Sequence, residues 1–195
     1  VVVASTALSG RVRAVVGIGP FVRDVPLPLS TRINFAVALN LALVGPAAAG
    51  KTTLAEALLV QAGMVGAAGS VERGSTTSDF DPIERRLQHS LHTSVLHLDH
   101  QGLRIHLLDT PGSADCLGQS LPALEAVETA AIVLNATAGI EPMAVRMMAW
   151  AAERQLDRML IVNRIDAPGF NAAALLAQIQ ATFGKECLPL NLPDA

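Results

Sequence analysis

Three short stretches carry residue types and spacings suited to chemistry. The first is "GPAAAGKT", residues 45–52, which reads Gly-x-x-x-x-Gly-Lys-Thr and runs into good helix formers. Glycines let a backbone wrap closely, so successive amide N–H groups can point at an anion. A helix starting at Gly50 adds its positive N-terminal end. This is a phosphate cradle: Gly45, Ala48, Ala49, Gly50 and Thr53 line it, Lys51 reaches the terminal phosphates, and the Thr52 hydroxyl binds Mg²⁺. Lys51 stands out further because the chain has only two lysines, Lys51 and Lys185, against twelve arginines. Pro46 removes one N–H at the rim of the loop.

The second stretch is "DTPG", residues 109–112, at the end of an apolar run. An acid at Asp109 can hold Mg²⁺ through water, completing a two-residue metal site with Thr52. Gly112 lets a backbone N–H approach a terminal phosphate and serves as a hinge for a loop that senses it. The third is "NRID", residues 163–166. A carboxylate at Asp166 can accept from both the N1–H and the exocyclic amine of guanine, a donor pair that adenine lacks. Asn163 would bond within the site and to the base, and the Arg164 stem would pack on the ring face. Each stretch has a plainer reading alone: a small-residue loop, a common turn, a helix-capping aspartate. Together and in this order they favour a guanine nucleotide.

These residues need elements to position them. "ALNLALVG" is a short buried strand leading into the cradle, and a helix follows from Gly50 to Gln61. A polar stretch over 65–82 is too long for an ordinary connection. "SLHTSVLHLDH" (90–100) and "GLRIHLLD" (102–109) read as strands turning at Gln101-Gly102. A helix near 119–128, a strand at "TAAIVLNA" and a helix at "EPMAVRMMAWAAERQ" with Pro142 in its first turn come next. "RMLIVNRID" is a strand, and "NAAALLAQIQATFG" a helix capped by Asn171 and ended by Gly184. Strands alternating with helices give an α/β fold in three layers, a mostly parallel sheet with helices on both faces. Ligands bind such sheets at the carboxyl ends of the strands. Four ends carry unusual polar residues: Gly45–Thr52, Asp109, Asn135–Thr137 and Asn163–Asp166.

Composition agrees. The chain has 195 residues, 51% hydrophobic and 16% charged, enough for one domain with a real core. A net charge of −3 leaves no footprint for bulk nucleic-acid binding. Cys116 and Cys187 fit no metal or redox spacing. His97 and His100 point to opposite faces of a strand, against a histidine metal cluster. No membrane span is expected, because the longest uncharged run, 33–50, holds Asn34, Asn40, Gly45 and Pro46. "VVVASTAL" has no basic residues before it and is a poor signal peptide. Residues 1–37 are broken by Pro20, Pro26 and Pro28 and read as an extension with one short strand at 12–16.

From residue 38 the chain resembles the GTP-binding domain of translational GTPases, with the nearest likeness to the elongation factor G-like branch. The matching stretches are "LVGPAAAGKTTLAEALL", "DFDPIERRLQHS", "IHLLDTPGSADC", "LPALEAVETAAIVLNATAGIEPM" and "MLIVNRIDAPG", together with their intervals about four-fifths of the chain. The resemblance implies a P-loop NTPase fold, GTP and GDP as ligands, Mg²⁺, hydrolysis of GTP, cytoplasmic work and a ribosomal partner for the full-length parent. It implies roles for Lys51, Thr52, Asp109, Gly112, Asn163 and Asp166 as above. It places Ser90 where the first switch normally offers a threonine to Mg²⁺, and makes the polar loop before it that switch. The departures are specific. "LQHS" at 87–90 replaces the family's "RGIT". Ser113 stands where the family has the histidine that orients the attacking water, so hydrolysis by the isolated chain is expected to be slow. "CLPLNLPDA" resembles the start of the family's inserted subdomain, and the family's last strand and base-contacting Ser-Ala loop are expected to be missing. Two other readings stand beside a GTPase: a module holding GTP or GDP without useful turnover, and an ATP-using P-loop kinase, which "NRID" argues against.

Overall fold

The structure, a computed structural model, describes the backbone of residues 2–5 and all of 38–191. The short strand expected at 12–16 lies outside the described residues. In chain order the elements are β1 (Val2–Ser5), β2 (Ala38–Val44), α1 (Lys51–Gln61), α2 (Pro82–Leu87), β3 (Ser94–His100), β4 (Leu103–Asp109), α3 (Leu117–Glu125), β5 (Thr129–Asn135), α4 (Pro142–Glu153), β6 (Asp157–Asn163), α5 (Ala172–Phe183) and β7 (Cys187–Pro189). A single 3-10 turn, Ala114–Cys116, precedes α3.

The strands form one seven-stranded sheet in the order β3-β4-β2-β5-β6-β1-β7. Pairs β4–β2, β2–β5 and β5–β6 are parallel. The β3–β4 hairpin is antiparallel and turns at Gln101-Gly102 as expected. At the other side β1 pairs antiparallel with both β6 and β7. Five strands therefore run in one direction, and β1 and β3 run against them.

The sheet is buried on both faces, which is why its central strands are almost uniformly apolar. Ala42, Val44, Ile132, Leu134 and Leu160 face one layer, packed by Leu124 of α3, Met147 and Ala151 of α4, and Leu175 and Ile179 of α5. Leu43, Leu107, Ala131 and Val133 face the other, packed by Ala55, Leu58 and Leu59 of α1. Strand register sets the site: Leu43 pairs with Asp109 and Asn135 with Asn163, so the carboxyl ends of β2, β4, β5 and β6 finish at one edge.

The polar stretch is more structured than its composition suggests. Asp81 caps α2 by accepting from the Ile83 N–H at 2.7 Å, and Glu84 answers with a bond from the Asp81 N–H at 3.3 Å. This reciprocal capping box, with Pro82 opening the helix, accounts for a helix of only six residues. Residues 90–93, expected to begin β3, stay outside it. Their backbone turns inward, and the Leu91 and His92 N–H groups bond to the Glu84 carboxylate instead.

Candidate functional site

Gly50 makes the turn from β2 into α1. Its φ of 88° lies in the left-handed region, and a Cβ there would sit 2.3 Å from Asn163 Nδ2. No side chain caps α1 and no acid sits in its first turn, so its leading N–H groups are left for an external anion. Ala48 takes a left-handed φ of 57°, Ala49 is buried, and Thr53 is exposed on the first turn.

Lys51 is 6% exposed and folds back onto its own loop. Its ammonium donates to the carbonyls of Gly45 at 3.1 Å and Pro46 at 2.7 Å. Burial lowers its pKa to about 8, and the negative charges of Asp109 and Glu141 limit the drop. Gly112 lies against this loop. A Cβ on it would meet Lys51 Nζ at 2.4 Å and Ala47 N at 2.6 Å, so the Asp-Thr-Pro-Gly turn reaches the cradle only because residue 112 has no side chain.

The Thr52 hydroxyl donates to Asp109 Oδ2 at 2.7 Å and lies 3.2 Å from the Ser90 hydroxyl. Ser90 donates in turn to Asp79 Oδ1 at 2.7 Å. Thr52 of the phosphate loop and Asp109 at the end of β4 thus meet Asp79 of the polar stretch and Ser90 beyond α2. Asp109 is 1% exposed and Asp79 3% exposed. Burial pushes the Asp109 carboxyl up to about 6, against the opposing effects of the Thr52 hydroxyl and the Lys51 charge. Asp109 Oδ1 and Asp79 Oδ2 are both buried without a hydrogen-bond partner. Two unpartnered carboxylate oxygens beside two hydroxyls are hard donors of the kind a small divalent cation takes, so the residues fit Mg²⁺.

Asn163 Nδ2 donates to the Ala49 carbonyl at 3.0 Å, tying the end of β6 to the phosphate loop. Arg164, with a φ of 59°, and Asp166 are exposed in the turn that follows. Ser113 is half-buried at the head of the 3-10 turn, and its side chain makes no cap bond. Asn135 and Thr137 stand at the same sheet edge but bond each other, Asn135 Oδ1 accepting from the Thr137 N–H at 3.0 Å and hydroxyl at 2.8 Å.

Three residues at this site escape a reading of the sequence. Asp79 is one. Thr110 is another: 1% exposed, it donates from its hydroxyl to the Leu43 carbonyl at 2.7 Å and pins the turn to β2. Ser120 is the third, donating to the Pro111 carbonyl at 2.7 Å from α3. Their spacing has no local pattern, because each acts across the sheet or between elements.

A sheet with strand ends converging on a glycine-bounded anion loop, backed by an acid and two hydroxyls, defines the class of P-loop nucleotide-binding domains. Within that class, residues 37–190 match the family described as the elongation factor Tu GTP binding domain, and the chain belongs to that family. It is similar to an elongation factor G-like protein of Mycobacterium tuberculosis, 37% identical over 155 residues that cover 80% of this chain and 22% of that protein. It is also similar to peptide chain release factor 3 of Microcystis aeruginosa, 34% identical over 158 residues covering 79% and 29% of the two chains. A crystal structure of a protein from Thermus thermophilus superposes with a TM-score of 0.74 at 38% identity, covering 77% of this chain and 23% of that one. The chain therefore spans about a quarter of the length of the relatives it matches. Among the described residues no helix is long and apolar enough to cross a membrane.

Proposed function

We propose that the chain is the GTP-binding switch domain of an elongation factor G-like translational GTPase, acting in the cytoplasm with the ribosome as the partner of the whole protein. The reaction is attack of water on the γ-phosphorus of GTP, with cleavage of the bond to the β–γ bridging oxygen and release of GDP and phosphate. The observation that carries this reading is the Thr52 hydroxyl, which donates to Asp109 and lies 3.2 Å from the Ser90 hydroxyl. It couples the phosphate loop and the "DTPG" turn to Ser90, and through the Ser90–Asp79 bond to the polar loop.

Lys51 exchanges its two carbonyl partners for phosphate oxygens, and the uncapped start of α1 receives the same anion. Gly112 offers its N–H toward the terminal phosphate and moves when that phosphate leaves. Thr52, Ser90 and Asp109 would hold Mg²⁺, which neutralises charge developing on the phosphates when bound. Asp166 accepts the guanine donor pair, Arg164 covers the ring, and Asn163 keeps the base-reading turn locked to the phosphate loop.

Ser113 is too short to orient the attacking water as the family's histidine does, so turnover by the chain alone is slow. That residue also supports a second reading, a module that holds GTP or GDP without useful hydrolysis. Single-turnover hydrolysis with and without ribosomes separates the two: no phosphate release in either condition supports the module. The base assignment is tested by Asp166→Asn. Selectivity should move from guanine toward xanthine nucleotides, and unchanged selectivity removes Asp166 from the role.

A further inference from the structure

Two buried glutamates lie outside the phosphate chemistry. Glu56 on α1 is 1% exposed and Glu84 on α2 is 2% exposed. Among the described residues neither belongs to an ion pair. Backbone N–H groups satisfy them instead. Glu56 Oε2 accepts from Gly69 at 2.7 Å and its Oε1 from Thr77 at 2.5 Å. Glu84 Oε1 accepts from both Leu91 at 2.9 Å and His92 at 3.0 Å, while its Oε2 takes the longer bond from Asp81. A buried carboxylate is tolerated when donors surround it in this way, and the charge strengthens each bond.

The bonded backbone positions bracket the loop's two site residues. Thr77 lies two residues before Asp79, and Leu91 directly follows Ser90. We propose that Glu56 and Glu84 are positioning residues for this loop. Glu56 fastens its first half to the helix that carries Lys51 and Thr52. Glu84 folds its exit inward, so that the Ser90 hydroxyl reaches Thr52 and Asp79. Neither glutamate touches nucleotide or cation; both act through Ser90 and Asp79. The expected effect on cation use rests on the reading of Ser90 as a Mg²⁺ ligand.

The two sites differ in a way that makes the idea testable. Glu84 serves Leu91 and His92 with one oxygen, which a glutamine retains while giving up only the longer bond from Asp81. Glu56 uses one oxygen for each partner, so a glutamine, whose amide nitrogen cannot accept, loses one bond and sets two donors face to face. The full chain is prepared as Glu84→Ala, Glu84→Gln, Glu56→Gln, Ser90→Ala and the Glu84→Ala/Ser90→Ala pair. Amide hydrogen exchange is read at 69, 77, 91 and 92 without nucleotide. The Mg²⁺ concentration needed to retain a fluorescent GTP analogue is read separately.

Glu84→Ala should speed exchange at 91 and 92 and raise the Mg²⁺ requirement, each on the order of tenfold, the scale of a buried donor left unmade. Glu84→Gln should stay close to wild type at 91 and 92, whereas Glu56→Gln should speed exchange at 69 or 77. The double variant should need no more Mg²⁺ than Ser90→Ala alone. Unchanged exchange at 91 and 92 in Glu84→Ala, or a Mg²⁺ penalty that adds in full to that of Ser90→Ala, overturns the proposal. If Ser90→Ala itself leaves the Mg²⁺ requirement unmoved, the reading of Ser90 is what fails, and the exchange data still decide the positioning. Should Glu84→Ala not fold, Glu84→Asp takes its place, since a carboxylate one methylene shorter cannot reach the same donors.

Discussion

Neutralising residue 109 is expected to strengthen the free fold while weakening its Mg²⁺-dependent hold on nucleotide. Asp109 is 1% exposed, and burial raises its carboxyl from an ordinary 3.8 to about 6. A displacement of about 2 pKa units corresponds to about 3 kcal/mol of folding free energy at neutral pH. Because the folded-state pKa lies above the unfolded one, the native state binds this proton more tightly. Its contribution to stability is fully present below about pH 4 and is lost as pH rises through about 6. Asp109→Asn removes that loss and keeps an oxygen for the Thr52 hydroxyl. The substitution also takes from Lys51 a negative charge that limits its own drop to about 8, so the net gain at pH 7.5 is about 1–3 kcal/mol. At roughly 2–4 °C per kcal/mol this is readable as a melting shift. The assay is urea or thermal unfolding in EDTA without nucleotide, repeated between pH 4 and 8. The variant and wild type should converge at acid pH and part above about pH 6. Added Mg²⁺ and GTP should then reverse the ranking, because only the wild type gains full stabilisation by binding. A variant no more stable than wild type at pH 7.5 in EDTA, or a gap that does not vary with pH, refutes the electrostatic argument.

Three further outcomes are expected. Ser113→His should raise single-turnover GTP hydrolysis by about a hundredfold, the low side of what a positioned acid–base group contributes; an unchanged rate shows that residue 113 does not set it. Deleting residues 1–37 removes β1, which pairs with both β6 and β7, so deuterium uptake should rise across Arg158–Ile161 and Cys187–Pro189, and equal uptake rules out that pairing. Gln155→Gly, at a φ of 57° after α4, should stabilise by about 0.5–1 kcal/mol in thermal unfolding, since only glycine adopts that conformation freely.

Much of the fold and site is legible because the relevant signals are local. The strand-loop-helix passage around Gly45–Thr52 is set by residues within one stretch, and Asn171 caps α5 through the Ala174 N–H at 3.0 Å as its position suggests. Thr52 and Asp109 meet because β2 and β4 are neighbours in register. Burying apolar strands in a parallel sheet brings their carboxyl ends to one edge, so the two motifs' shared edge was within reach of the sequence, while the strand order was not. What stays hidden is set by distant partners. Helix α2 is too short for helical periodicity, and its one local mark is the Asp81–Glu84 capping box. Pro82 and Glu84 mark Asp81 as a helix cap, but nothing near Asp79 marks it as the residue that receives the Ser90 hydroxyl. Val2–Ser5 joins the sheet through residues more than 150 positions away, a pairing that no neighbouring residue signals.

The central claim is that this edge of the sheet reads a guanine nucleotide with Mg²⁺. Equilibrium competition of unlabelled GTP, GDP, XTP and ATP against a fluorescent GDP, with and without Mg²⁺, tests it most directly. GTP and GDP should compete far better than XTP or ATP, and GTP should lose most when Mg²⁺ is removed. Competition by ATP as strong as by GTP would contradict the account.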